Sequence, residues 1–153
     1  MIKNHQKIFE HFKFLRPVEV SGMRLWDLNK KDKLIIAKYV RTWGYINAIS
    51  FELAKDLKLN LNDKKMLLNA SLLIHNSIFK LGEKNTKKAY QEMHKTVNSL
   101  DAWKTSFAEA AEDAIKDISN FRKKKVDSNI SIFPRLDHQI YVFYKRLKNK
   151  DKK

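Results

Sequence analysis

No cysteine occurs in this chain. That absence excludes a disulfide framework, a thiol nucleophile and a thiolate metal site, and it suits a reducing, cytoplasmic setting. Glycine is scarce as well, with Gly22, Gly44 and Gly82 far apart. A phosphate-cradling loop needs closely spaced glycines to bring backbone N–H groups near the anion, so none is expected. Long apolar runs are missing: the first twenty residues hold no stretch of signal-peptide length. The most apolar window, residues 34–54, carries Lys38, Arg41 and Glu52, each costly in hydrocarbon, and reads as a core helix, not a transmembrane segment. The five histidines, His5, His11, His75, His94 and His138, form neither an HExxH nor an ExxH pattern. No metal site and no cofactor are therefore expected. His75 lies beside an apolar stripe and reads as a hydrogen-bonded core or interface histidine.

Negative charge is the other shortage. The formal net charge is +15, with 26 Lys, 6 Arg and only 7 Glu. Abundant Lys, Asn and Ile beside few Gly, Ala, Arg and Pro is the bias of an AT-rich genome, but that bias should raise Glu together with Lys. Codon drift thus explains why the cations are lysines better than why anions fail to balance them. An excess of this size repels itself unless a partner neutralises it, which points to a polyanion.

What is present reads as helix. Two prolines and three glycines leave little punctuation, and apolar residues recur at helical spacing. The expected architecture is an all-α, single-domain bundle of five to six helices over residues 1–148, followed by a basic tail, 149–153, expected to be disordered. A first helix over about 4–15 places Ile8, Phe9, Phe12 and Leu15 on one side and ends before Pro17. Residues 18–28 read as irregular or a short hairpin. Asn29 can cap a second helix to about residue 58, with Ile35, Tyr39, Ile46, Leu53 and Leu57 on one face and Trp43 and Ile49 flanking. Lys38, Arg41 and Tyr45 share another face of it, continued by Glu52 and Asp56, and read as solvated.

Asn62 or Asp63 can cap a third helix carrying Met66, Leu67, Ala70, Leu73, Ile74, Ile78 and Leu81, with Gly82 as its stop. Leu68, Leu72 and Phe79 form a second stripe there, which implies a sandwiched helix or a homo-oligomer surface. A further helical region opens near Asn85, with Tyr90, Met93, Val97 and Leu100 facing inward; it is either broken near Ser99 or continuous to residue 125. Its later part sets Trp103, Phe107, Ala110, Ala111, Ala114, Ile118 and Phe121 on one arc, where the alanines permit close helix approach. Pro134 suits the first turn of a last helix to about residue 148.

The charge is polarised along the chain. Residues 1–58 carry +6, 59–100 carry +4, 101–121 carry −3 and 122–153 carry +8. Anions early in a helix and cations late in it fit the macrodipole, yet the run Arg122, Lys123, Lys124 and Lys125 exceeds what the dipole needs. In the last helix Leu136, Ile140, Phe143 and Leu147 make an apolar stripe. Arg135, His138, Tyr141, Lys145, Arg146 and Lys148 collect on the opposite face. Those ten residues, 122–125 with 135, 138, 141, 145, 146 and 148, are the candidate nucleic-acid contacts. Lys and Arg would hold phosphates, while Tyr141 and His138 would offer rings for stacking. Lysine dominates over arginine and acts as a point charge, so sequence specificity should be low.

These features suggest a non-catalytic accessory subunit that binds RNA or DNA phosphates. A protein-interaction module, of an immunity or assembly kind with an acidic partner, is the alternative. A metal-independent ribonuclease is the third reading. It would use His138 as general acid or base and Arg135 as phosphate clamp, although only two residues separate them, fewer than helical ribonucleases of that class use.

Overall fold

The computed structural model describes residues 3–14 and 33–123, and within them the chain is all-α, with five helices and no strand. They are α1 (Asn4–Phe14), α2 (Lys33–Asp56), α3 (Lys64–Phe79), α4 (Glu83–Ser99) and α5 (Asp101–Lys123). The expected irregular segment 18–28, the Asn29 cap and the last helix lie outside the described residues.

Helix α2 is the axis of the assembly and touches each of the other four helices. Val40, Trp43, Tyr45, Ile46, Ile49 and Leu53 are all buried, so apolar groups surround most of its circumference. A helix that is apolar nearly all round can satisfy those faces only at the centre of a bundle. Tyr45, Ile46, Ile49 and Leu53 join Ile8 and Phe12 of α1, Met66, Ala70 and Ile74 of α3 and Ala114 and Ile118 of α5 in the main core. Trp43 turns the other way, into a second cluster with Ala89 and Met93 of α4, covered by Leu72, Phe79, Tyr90, Val97 and Phe107. Helix α3 is therefore sandwiched. Leu72 and Phe79, from the stripe weighed as a homo-oligomer surface, are used within the chain, and Leu68 is half-buried. The hydroxyls of Ser71 and Ser50, both buried, meet at 3.0 Å between α3 and α2.

Local signals account for the helix ends. The Asp63 carboxylate accepts from Met66 N at 3.0 Å and caps α3, satisfying a donor that the first turn leaves open. The stop of α3 comes earlier than Gly82. Lys80 adopts the left-handed conformation, φ 55°, and its N–H reaches Asn76 O at 2.8 Å. Gly82, φ 88°, serves as the entry to α4. Its N–H donates to the Asn76 side chain at 2.9 Å, so one asparagine fixes both sides of the corner. The break between α4 and α5 falls at Leu100, which is extended. The Ser99 hydroxyl turns back to Thr96 O at 2.6 Å, inside α4.

Helices α2 and α5 run in the same direction and lie close together. A Cβ built on Gly44 would sit 2.5 Å from Phe107 O and 3.3 Å from Ala110 Cβ, so main chain meets main chain at this crossing. The alanine arc of α5 does what its spacing predicts, with Ala110, Ala114 and Ile118 buried. Among the described residues no helix is long and apolar enough to cross a membrane.

Candidate nucleic-acid interface

Of the ten candidate contacts, the structure describes Arg122 and Lys123. The other eight, Lys124, Lys125, Arg135, His138, Tyr141, Lys145, Arg146 and Lys148, lie outside the described residues. Lys123 is exposed at the end of α5. Arg122, also at the end of α5, is hydrogen-bonded to α2. Its Nη1 donates to Glu52 Oε2 at 3.1 Å and its Nη2 to Asp56 Oδ2 at 2.8 Å and to Glu52 O at 3.2 Å. Its Nε adds a fourth bond, to Asp56 Oδ2 at 3.2 Å. A guanidinium with its fork occupied by two carboxylates and a carbonyl has little left for a phosphate.

The same contacts overturn the expectation of a solvated face on α2. Tyr45 is fully buried and its hydroxyl donates to Asp117 Oδ2 at 2.6 Å. Arg41 donates to Glu109 Oε2 at 3.4 Å, and the Glu52 side chain is only 6% exposed. Residues 41, 45, 52 and 56 recur every four or seven positions, so they line one face of the helix, and that face is covered by α5. The sequence pattern shows a polar stripe; it does not show that a second helix supplies the opposite charges. Arg122 faces the buried Glu52 carboxylate and the exposed Asp56 carboxylate together. Arg122→Ala should lower the unfolding free energy by about 2 kcal/mol, below the fully buried case because the arginine is a third exposed. Glu52→Gln added to it should recover part of that loss. Urea unfolding of the two single variants and the double variant at pH 7 checks both; strictly additive losses would mean that solvent already screens the pair.

Pairing at this seam has a consequence for the surface. Glu52, Asp56, Glu109 and Asp117 are spent on Arg122, Arg41 and Tyr45. They are correspondingly less able to neutralise lysines elsewhere. On α4, Lys84, Lys88, Gln91, Lys95 and Asn98 follow at intervals of four and three residues and are all exposed. At 100° per residue they occupy one strip of the helix, and the three lysines extend over about 16 Å of its axis. Among the described residues none of these three lysines forms a salt bridge. Glu92 lies half-buried beside the strip.

The strip is held in place by the opposite face of α4. Thr86, Ala89 and Met93 are buried, and Tyr90 meets Trp43 edge-on at 5.4 Å. At its N-terminal end α4 borders a groove of about 310 Å³ shared with α1 and α3, whose walls include Lys3, His5, Asn69, Leu72, Asn76 and Lys87. Lys87 pairs with Glu83 at 3.7 Å, but both side chains are well exposed, so the pair is weak and releasable. Glu83 lines the groove as well, so its walls carry Lys3 and Lys87 beside one carboxylate.

Among the described residues no three His, Asp or Glu side chains come together to hold a metal ion. His75 is buried, as expected. Both ring nitrogens lack partners among the described residues, and the ring lies flat on Trp43, centroids 4.3 Å apart and planes 5° from parallel. Burial pushes its pKa down to about 3, so it is a neutral aromatic block in the core at neutral pH. No family model, curated protein or solved structure matches the chain.

Proposed function

We propose that this protein is a non-catalytic nucleic-acid-binding module that neutralises backbone phosphates with lysines. The observation that carries the reading is the rigid strip Lys84, Lys88 and Lys95, exposed and without salt bridges among the described residues, in a chain of net charge +15. The strip lies next to Lys87 and Lys3 at the groove. A row of exposed lysines on a firmly packed helix suits a polyanion better than it suits a small ligand. Lysine supplies point charges without the planar fork that reads base edges, so binding should tolerate sequence. The basic residues beyond α5, from Lys124 to Lys148, belong to the same proposal as further phosphate contacts.

The test is a salt titration of binding to labelled nucleic acid of mixed sequence. Affinity should fall steeply, with a log–log slope of several units, because each neutralised phosphate releases condensed counterions. The triple variant Lys84→Ala, Lys88→Ala, Lys95→Ala should lower that slope by about two to three and weaken binding about tenfold or more near 0.1 M salt. A flat salt response, or no binding by wild type at about 0.05 M salt, would reject the proposal. Labelled RNA recovered after incubation with the protein and a chelator should be intact; cleavage that His138→Ala abolishes would replace binding by catalysis.

A further inference from the structure

We propose that the groove shared by α1, α3 and α4 is a binding site for a small phosphomonoester of nucleotide size. It is a site apart from the lysine strip and does not depend on the nucleic-acid reading. The groove, about 310 Å³, has Lys3, His5 and Lys87 in its walls together with Asn69, Leu72 and Leu73. A second hollow of about 480 Å³ is lined by the same Lys3, His5 and Asn69 and extends to Lys65 and Met66, so the two adjoin. Both fall in the range of roughly 300–1,000 Å³ that small-molecule sites occupy.

The charge of the walls favours an anion. Among the described residues Lys3 and Lys65 form no salt bridge. Two carboxylates oppose the three lysines, and each is already engaged. Asp63 accepts from Met66 N at the start of α3, where the helix dipole offsets its charge. Glu83 meets Lys87 at 3.7 Å, but the two side chains are 86% and 59% exposed, and a pair so open to water exchanges readily for a stronger anion. A phosphate dianion takes several point charges at once, and lysines on flexible stems can supply them from different walls.

The rest of the lining calls for more than phosphate. Leu72 and Leu73 are half-buried and give the groove an apolar portion that an inorganic ion would leave in water. The Asn69 side chain makes no hydrogen bond among the described residues. Asn76 uses its Oδ1 on Gly82 N, which leaves its amide N–H groups open. A nucleoside carries both complements, a flat apolar ring for the leucines and polar edges and hydroxyls for the two amides.

The experiment is isothermal titration calorimetry of the full-length protein at about 0.1 M salt with adenosine 5′-monophosphate, adenosine and inorganic phosphate. The nucleotide should bind at least about tenfold more tightly than either fragment, since each fragment lacks one half of the contacts. Lys3→Ala combined with Lys87→Ala should weaken it about fivefold or more with the melting temperature kept, because both lysines are exposed. Glu83→Gln should strengthen it about two- to fivefold by releasing Lys87, a gain that no folding defect imitates. Lys95→Ala, about 12 Å along α4 from Lys87, should change it by less than about twofold. A 5′-phosphorylated dinucleotide separates a free nucleotide from the end of a strand: tighter binding than the monophosphate assigns the groove to a strand end, weaker binding to a free nucleotide. No saturable binding of the monophosphate at millimolar concentration, adenosine binding as tightly as the monophosphate, or affinity lost with Lys95 and kept without Lys3 and Lys87 would each overturn the site. None of these outcomes touches the salt slope of nucleic-acid binding, which tests the earlier proposal alone.

Discussion

Gly44→Val should leave little folded protein, and Gly44→Ala should lower the melting temperature by about 6 °C. A glycine inside a helix ordinarily costs about 1 kcal/mol relative to alanine, so the alanine variant would gain that much in an isolated α2. Here the gain is reversed by packing. The new methyl would sit 2.5 Å from the carbonyl oxygen of Phe107 and 3.2 Å from its carbon. A flexible side chain could swing away, but a main-chain carbonyl moves only with its helix. Overpacking typically costs about 1–3 kcal/mol, and a backbone obstacle belongs at the upper end, which leaves a net loss of about 2 kcal/mol for alanine. Valine adds two further methyls and a restricted χ1 in the same place. Separation of α2 from α5 would also lengthen the Tyr45–Asp117 and Arg122–Glu52 contacts, so the damage would not stay local. Thermal unfolding followed by circular dichroism checks both variants; an alanine variant within 2 °C of wild type would mean that the two helices part at little cost.

Much of the fold is legible from spacing, because burying one stripe of a helix leaves a periodic trace. The Asp63 cap, the inward Ile8 and Phe12, and the alanine arc of α5 all follow from residue type and interval. Partner choice leaves a weaker trace. Nothing in residues 41–56 tells that Arg41, Tyr45, Glu52 and Asp56 face residues nearly seventy positions later, so a polar seam between two helices looks like a wet surface. Gly82 shows a related ambiguity. A glycine between two helices can close the first or open the second, and here Lys80 accepts the left-handed turn and leaves Gly82 to the entry of α4.

The site was legible in a different way. Arg122 and Lys123 are neighbours in sequence but 100° apart on α5, enough for one to lie over α2 and the other in solvent. A run of four basic residues therefore cannot be credited to one surface. Conversely, the strip on α4 is written plainly as Lys84, Lys88, Gln91 and Lys95, yet a segment sum hides it. The +4 of residues 59–100 averages that strip with Asp63 at a cap, Glu83 paired with Lys87, and Glu92 beside the strip. Charge counted per helix face finds what charge counted per segment blurs.

Acid should weaken the fold through His75 well before the carboxylates are fully protonated. The ring is completely buried between Trp43 and Phe79, and neither nitrogen has a hydrogen-bond partner among the described residues. Burial lowers its pKa from 6.5 to about 3, because an imidazolium there would lose its hydration without gaining an acceptor. In the unfolded chain the same ring takes up a proton as pH falls through 6.5. Between these values the unfolded state binds the extra proton, so stability falls as pH falls, by about 1.4 kcal/mol per unit. At pH 4.5 the loss reaches roughly 2–3 kcal/mol, while about a unit above pH 6.5 the effect has faded. His75→Phe keeps a flat ring on Trp43 and removes both orphaned nitrogens, and replacing unpaired polar atoms by apolar ones of similar shape is near neutral or stabilising. The variant should match wild type within about 1 kcal/mol at pH 7.5 and exceed it increasingly below pH 6. Urea unfolding of both proteins from pH 7.5 to 4.5 isolates the histidine, since the other titrating groups are common to both. Parallel curves over that range would show that His75 opens to water and takes its proton without unfolding the bundle.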